Sequence, residues 1–110
     1  MEITTQEFKR VAVIAVSGRV DSATAPELEA KLREAVDGGK TQLVLDLKNV
    51  EYMSSAGLRA MVSTLKAVKR VNGDLRLANP SPRVEEVLRL AGLTSIFSIH
   101  PTQEEAVASF

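Results

Sequence analysis

Two rhythms of apolar positions alternate along this chain. Near-continuous apolar runs, such as Val11-Ala12-Val13-Ile14-Ala15-Val16 and Leu43-Val44-Leu45-Asp46-Leu47, have the length and β-branched content of buried strands. Between them, apolar residues recur every three or four positions, as on one face of a helix. Leu28, Leu32, Ala35 and Val36 form one such stripe, Leu58, Met61, Val62 and Leu65 a second, and Val84, Val87, Leu88 and Ala91 a third. Ala106, Val107 and Phe110 suit a short terminal helix.

The punctuation between these segments agrees with the rhythm. Lys9-Arg10 fits a turn between a first strand, Ile3 to Phe8, and a second, Val11 to Ser17, and Gly18 to Ser22 reads as a connector. Thr24-x-x-Glu27 and Thr102-x-x-Glu105 have capping-box spacing, and Ser81-Pro82 reads as an N-cap followed by proline in the first turn. Gly38-Gly39, Asn72-Gly73 and Gly92 are helix stops. Asp74 to Ala78 and Ile96 to Ile99 complete the strands. The predicted order is β-β-α-β-α-β-α-β-α. That order specifies an α/β fold with an open mixed sheet, mostly parallel after an opening hairpin, with helices packed on it. A length of 110 residues suits one domain, residues 1–110.

In a parallel sheet, functional groups gather beyond the carboxyl ends of the strands. Two loops there are candidates for one shared surface: Gly18 to Ser22, and Met53 to Gly57. The second holds adjacent serines, Ser54 and Ser55, where a buried strand hands over to a helix. Unpaired backbone N–H groups and the positive end of the helix dipole favour a phosphate at such a place. One serine alone would be read as a helix cap. Two hydroxyls beside the small residues Ala56 and Gly57 suggest a modifiable contact surface, although Gly57 also suits close helix–sheet packing. Asp21 and Ser22 can be either contact or capping residues.

Composition removes other classes of function. Fourteen basic and fourteen acidic side chains cancel, which argues against a sequence-independent grip on nucleic acid. There is no cysteine, hence no disulfide and no thiolate metal site. The one histidine, His100, lies before Pro101 in an expected connector, without ligand-spaced acids. Gly38-Gly39-Lys40-Thr41 lacks the first glycine of a phosphate-binding loop and precedes a strand instead of a helix. Ser54-Ser55-Ala56-Gly57 lacks the glycine that precedes the serine in a nucleophile elbow. Glu85-Glu86 and Glu104-Glu105 are first-turn helix acids, not a general acid–base pair. Tyr52 and three phenylalanines make no stacking platform for single-stranded nucleic acid. A non-enzymatic protein with no cofactor and no metal is expected. The N-terminal residues lack the layout of a secretory signal, and no apolar run approaches the roughly 20 residues that span a bilayer. The expected location is cytoplasmic.

Several of these segments together resemble the STAS domain, and in particular the bacterial anti-sigma factor antagonists. The resemblance rests on Val16-x-Gly18-x-Val20-Asp21, Leu45-Asp46-Leu47-x-x-Val50-x-Tyr52-Met53, Ser54-Ser55-Ala56-Gly57-Leu58, Asn72-Gly73-x-Leu75-x-Leu77 and Val84-x-x-Val87-Leu88-x-Leu90-x-Gly92-Leu93. It covers nearly the whole chain. It implies a partner-switching regulator of transcription, of the kind that serves stress responses. Unphosphorylated, such a protein binds an anti-sigma factor and releases the sigma factor. That anti-sigma factor is also a serine kinase that uses ATP, and a PP2C-type phosphatase resets the switch. Carried onto this chain, Ser55 is the phosphoryl acceptor, with Ser54 as the alternative. Asp21, Ser22, Ser54, Ser55, Ala56, Gly57, Leu58 and Arg59 are the partner-binding residues. Ser54 stands where the family usually has Asp, and Ala56 replaces a second hydroxyl residue. STAS domains also occur as subunits that are never phosphorylated, in membrane transport complexes. There the two serines would act only as cap and contact.

Overall fold

The computed structural model describes residues 1–110. Its elements are β1 (Glu2–Phe8), β2 (Val11–Val20), α1 (Ala25–Asp37), β3 (Gln42–Met53), α2 (Ser55–Lys69), β4 (Asp74–Ala78), α3 (Pro82–Leu90), β5 (Ile99–His100) and α4 (Gln103–Ala108). The expected order is therefore observed. The five strands lie side by side in chain order, with β1 antiparallel to β2 and all other neighbours parallel.

Alternation along the strands divides the apolar side chains between the two faces of the sheet. Ala12, Ile14 and Val16 of β2, Leu43, Leu45 and Leu47 of β3, and Leu75 and Leu77 of β4 pack with the inner faces of α1, α2 and α3 in the main core. Val11, Val13, Val44 and Ala78 turn the other way and meet Ala106 of α4, with Val107 and Phe110 packed alongside. Arg76 lies over the Phe110 ring at 4.1 Å and hydrogen-bonds Ser109, while Gln103 donates to Asp46 at 2.9 Å. Thus α4 is clasped to the second face by one small core and a few polar contacts.

The strands at the centre run further than their apolar runs suggest. β2 continues through Gly18 to Val20, and β3 through Lys48 to Met53. The register between them slips twice: Ala15 pairs with Asp46 but Ser17 with Asn49, and Gly18 pairs with Val50 but Arg19 with Tyr52. Each slip inserts one extra residue in β3, as a bulge does. Burial consequently passes from Leu47 to Val50 to Met53 in steps of three. Gly18, at φ +91°, supplies backbone geometry that a side chain disfavours beside the second slip.

Other expectations change, among them Ala91 of the third stripe, which is exposed. The last strand is only Ile99–His100; residues 94–97 form turns that tuck Phe97 into the core, while Ser98 O accepts from Leu77 N at 2.9 Å. His100 is accordingly a strand residue, its Nε2 2.8 Å from Ser98 Oγ. Thr24 does not cap α1 with its side chain. Its hydroxyl is held below the helix, accepting from Asp21 N at 2.9 Å and lying 2.9 Å from Arg19 O. On α2, the buried face consists of Gly57, Ala60, Met61, Thr64, Leu65 and Val68, whereas Leu58 and Val62 are only half-buried.

Candidate functional site

The two candidate loops leave the sheet from neighbouring strand ends. Val20 and Met53 are register partners, and Ser54 N donates to Val20 O at 2.8 Å. The last residue of each strand is buried, so the loops start from a fixed base. Arg19 and Tyr52, one position earlier, are also partners, and the guanidinium lies over the ring at 4.5 Å.

On the first loop, Asp21 folds the chain back into α1. Its Oδ1 accepts from the amides of Ala23 and Thr24, each at 3.0 Å, and lies 3.1 Å from Thr24 Oγ1. Its backbone carbonyl accepts from Ala25 N at 2.8 Å. The Thr24 amide holds the carboxyl below the usual carboxylate range. The Thr24 hydroxyl, the Ala23 amide and the charge of Arg19 act in the same direction, against partial desolvation. Asp21 thus commits its Oδ1 to the turn while the residue stays partly exposed, and Ser22 is exposed.

On the second loop the two serines separate by role. Ser54 has extended backbone at ψ 169°, and its Oγ accepts from Gly57 N at 3.2 Å. It is the N-cap of α2. Ser55 is the first helical residue, exposed, and its hydroxyl makes no hydrogen bond within the chain. The first turn of α2 holds no acidic residue, so its positive end is not answered from within the helix. Ala56 is half-buried against the core. Gly57 is buried, and a Cβ there would stand 2.8 Å from Val20 Cγ1 and would also strike the Met53 sulfur. It lets α2 start directly above the ends of β2 and β3, and it offers no surface of its own. Leu58 is half-buried and Arg59 exposed.

Ser55, Leu58 and Arg59 also lie at one end of a groove of about 570 Å³, which continues along α2 past Val62, Ser63 and Lys66 to Ala91 and Leu93 beyond α3. Sequence reasoning missed this extension. It assigned Val62 to the core, and nothing in the helical stripe says that Leu93 comes alongside. No three His, Asp or Glu side chains converge as a metal site, and no helix is long and apolar enough to cross a membrane.

Residues 2–106 match the family model for the STAS domain. BtrV of Bordetella bronchiseptica, provisionally named an anti-sigma factor antagonist, is 38% identical over 110 residues, which is 100% of this chain and 95% of BtrV. The anti-sigma-B factor antagonist of Staphylococcus aureus is 32% identical over 104 residues, 94% of each chain. Among solved structures, the anti-sigma factor antagonist SpoIIAA in its unphosphorylated form superposes with a TM-score of 0.84 at 26% identity, covering 96% of this chain and 93% of SpoIIAA. With the sheet order, the paired strand ends and the capped serine helix in place, these likenesses identify the chain as a STAS-domain protein of the anti-sigma factor antagonist family.

Proposed function

We propose that this protein binds an anti-sigma factor with serine kinase activity while Ser55 is unmodified, thereby freeing the sigma factor, and that phosphorylation of Ser55 ends the complex. The observation that carries this reading is the division of labour between the serines. Ser54 spends its oxygen on the Gly57 amide, whereas Ser55 stands exposed at the next position with a free hydroxyl. A kinase can reach Ser55 without unwinding α2, so Ser55 is the acceptor in preference to Ser54. The naming of relatives as anti-sigma factor antagonists supports the partner class. The description of SpoIIAA by its unphosphorylated form supports a phosphorylation switch.

The chemistry belongs to the partner. Ser55 Oγ attacks the γ-phosphorus of ATP held by the kinase, the bond to ADP breaks, and the hydroxyl proton passes to a base of the kinase. A PP2C-type phosphatase reverses the state by hydrolysis. The product carries about −1.5 to −2 charges at neutral pH. At the start of α2 that charge is favourable in the free protein. In a contact shaped for a neutral hydroxyl it is not, and a coupling of about 3 kcal/mol weakens binding roughly 150-fold. Asp21, Ser22, Ala56, Leu58 and Arg59 complete the contact around Ser55, with Gly57 supporting it from beneath.

The test is mass spectrometry of the protein from its host under two growth conditions, together with pull-downs using Ser55→Ala and Ser55→Asp chains. One phosphoryl group on Ser55, varying with condition, and a kinase-type protein retained by Ser55→Ala but not by Ser55→Asp are the expected results. Phosphorylation of the Ser55→Ala chain to the wild-type extent would overturn the assignment. An unmodified protein that co-purifies with a transport ATPase would establish the constitutive-subunit alternative.

A further inference from the structure

The groove beside Ser55 has a composition that the switch serine alone does not explain. Its floor is apolar, with Leu58 and Val62 of α2 facing Leu93. Leu90, next to Ala91 in the chain, leaves 72% of its surface in water, and Ile96, whose N donates to Leu93 O at 3.2 Å, leaves 47%. Its rim is basic. Helix α2 contains no Asp or Glu, and Arg59 and Lys66 lie along the groove separated by Ser63. Lys69 spends its charge on Asp74 at 3.4 Å, but Arg59 and Lys66 form no ion pair. In a chain whose charges cancel overall, an apolar trough edged by two uncommitted cations is a local asymmetry.

Resting on the function proposed above, we infer that this groove receives an acidic amphipathic segment of the anti-sigma partner, and that Arg59 is the element through which phosphorylation of Ser55 releases it. Apolar side chains of that segment cover Leu58, Val62 and Leu93, and its carboxylates meet Arg59 and Lys66. Complementary charge of this kind sets register and encounter rate. Ser55 and Arg59 are four residues apart on α2, so their side chains are neighbours on one face. A phosphate on Ser55 Oγ is a stronger partner for a guanidinium than a carboxylate of another molecule, because it is tethered and carries more negative charge. It takes Arg59 from the docked segment and leaves the partner's carboxylate unpaired beside a dianion. Release then follows from a change of ion-pair partner within one turn of helix, with no movement of the sheet or of α3.

The intramolecular step is testable on the full chain alone. Phosphoserine installed at position 55 is titrated by phosphorus NMR in the wild-type sequence and in Arg59→Gln. The expected result is a second phosphate pKa lower in the wild-type sequence by about half a unit or more, the direction an adjacent cation imposes. Coincident titrations would overturn the capture of Arg59. The docking step is tested with the purified anti-sigma protein retained by Ser55→Ala. Lys66→Glu and Ser63→Glu, both exposed positions, are expected to weaken binding about tenfold or more at unchanged melting temperature. Binding that still depends on Ser55 but ignores both variants overturns the groove and leaves the proposed function standing. If no Ser55-dependent partner exists, the proposed function fails and the docking step falls with it, while the phosphorus titration still decides the Arg59 capture. Self-association of the unmodified chain that Lys66→Glu abolishes would assign the groove to a second copy and overturn the partner.

Discussion

Ser54 N donates to Val20 O at 2.8 Å, so the residue that caps α2 is also hydrogen-bonded to the end of the neighbouring strand. Ser54 therefore joins β2, β3 and α2, whereas the side chain of Ser55, one residue on, is bonded to nothing. Adjacent residues of one type thus have separable consequences.

Ser54→Ala removes the side-chain acceptor for Gly57 N. The expected loss is about 1 kcal/mol, or about 4 °C in melting temperature. Ser55→Ala should lie within about 0.5 kcal/mol of wild type. Ser55→Asp places a negative charge in a first turn that has none, and should leave stability unchanged or raise it by about 0.3–1 kcal/mol. Urea denaturation of the three variants checks the ranking, and a Ser55→Ala loss as large as that of Ser54→Ala would contradict it.

Gly57→Ala should destabilise despite the better helix propensity of alanine, which is worth about 1 kcal/mol. The new methyl meets Val20 Cγ1 and the Met53 sulfur at the base of α2, and overpacking of this kind costs about 1–3 kcal/mol. Val20→Ala is expected to relieve part of that cost. A double-mutant cycle on the pair should therefore give a favourable coupling above about 0.5 kcal/mol, where independent sites would give none.

Asp21 makes a pH-dependent contribution of definite sign. Its carboxyl is held below the unfolded value of about 3.9, so its ionised form is favoured by folding. The stability it contributes is fully present above that value and is lost as the pH falls through the lower, folded one. The difference between wild type and Asp21→Asn in denaturant midpoint should stay constant from neutral pH down to about 5 and shrink below about 4. A difference that grew on acidification would invert the assigned direction.

The terminal helix should be the first to open. It has six residues, one fully buried side chain, and the Arg76–Phe110 stack as its outer clasp. In amide exchange its protection should fall well below that of α2. Phe110→Ala should lower it further without changing protection at Leu65 or Val68.

Much of this molecule is legible in its sequence because most elements obey a single period. Ala12, Ile14 and Val16 alternate as a strand does, Leu28 and Leu32 repeat as a helix does, and both lie buried where the pattern puts them. The end of β3 is illegible for a definite reason. Two bulges change its burial step from two to three, so Val50 and Met53 fit neither a strand nor a helix rhythm. Gly18 hides the end of β2 similarly, because it reads as a break and serves as part of a register slip. The site is legible as to its address, the two loops beyond β2 and β3. Which serine caps was not, since either satisfies the local pattern and only the bond to Gly57 N decides. The groove was invisible because Leu93 reaches α2 through tertiary packing alone.

The two edges of the sheet are unequal and neither is an inviting template. One is β5, only two residues long; the other is β1, where Glu2, Gln6 and Glu7 accompany Thr4 and Thr5 along seven residues. Short or charged edges discourage strand exchange between molecules. Loops and helix faces are thereby left as the surfaces open to contact, where side chains separate without any backbone ladder being unzipped. Reversibility is the consequence for the switch proposed above: a regulator of that kind avoids the adhesive geometry that would make its first association permanent.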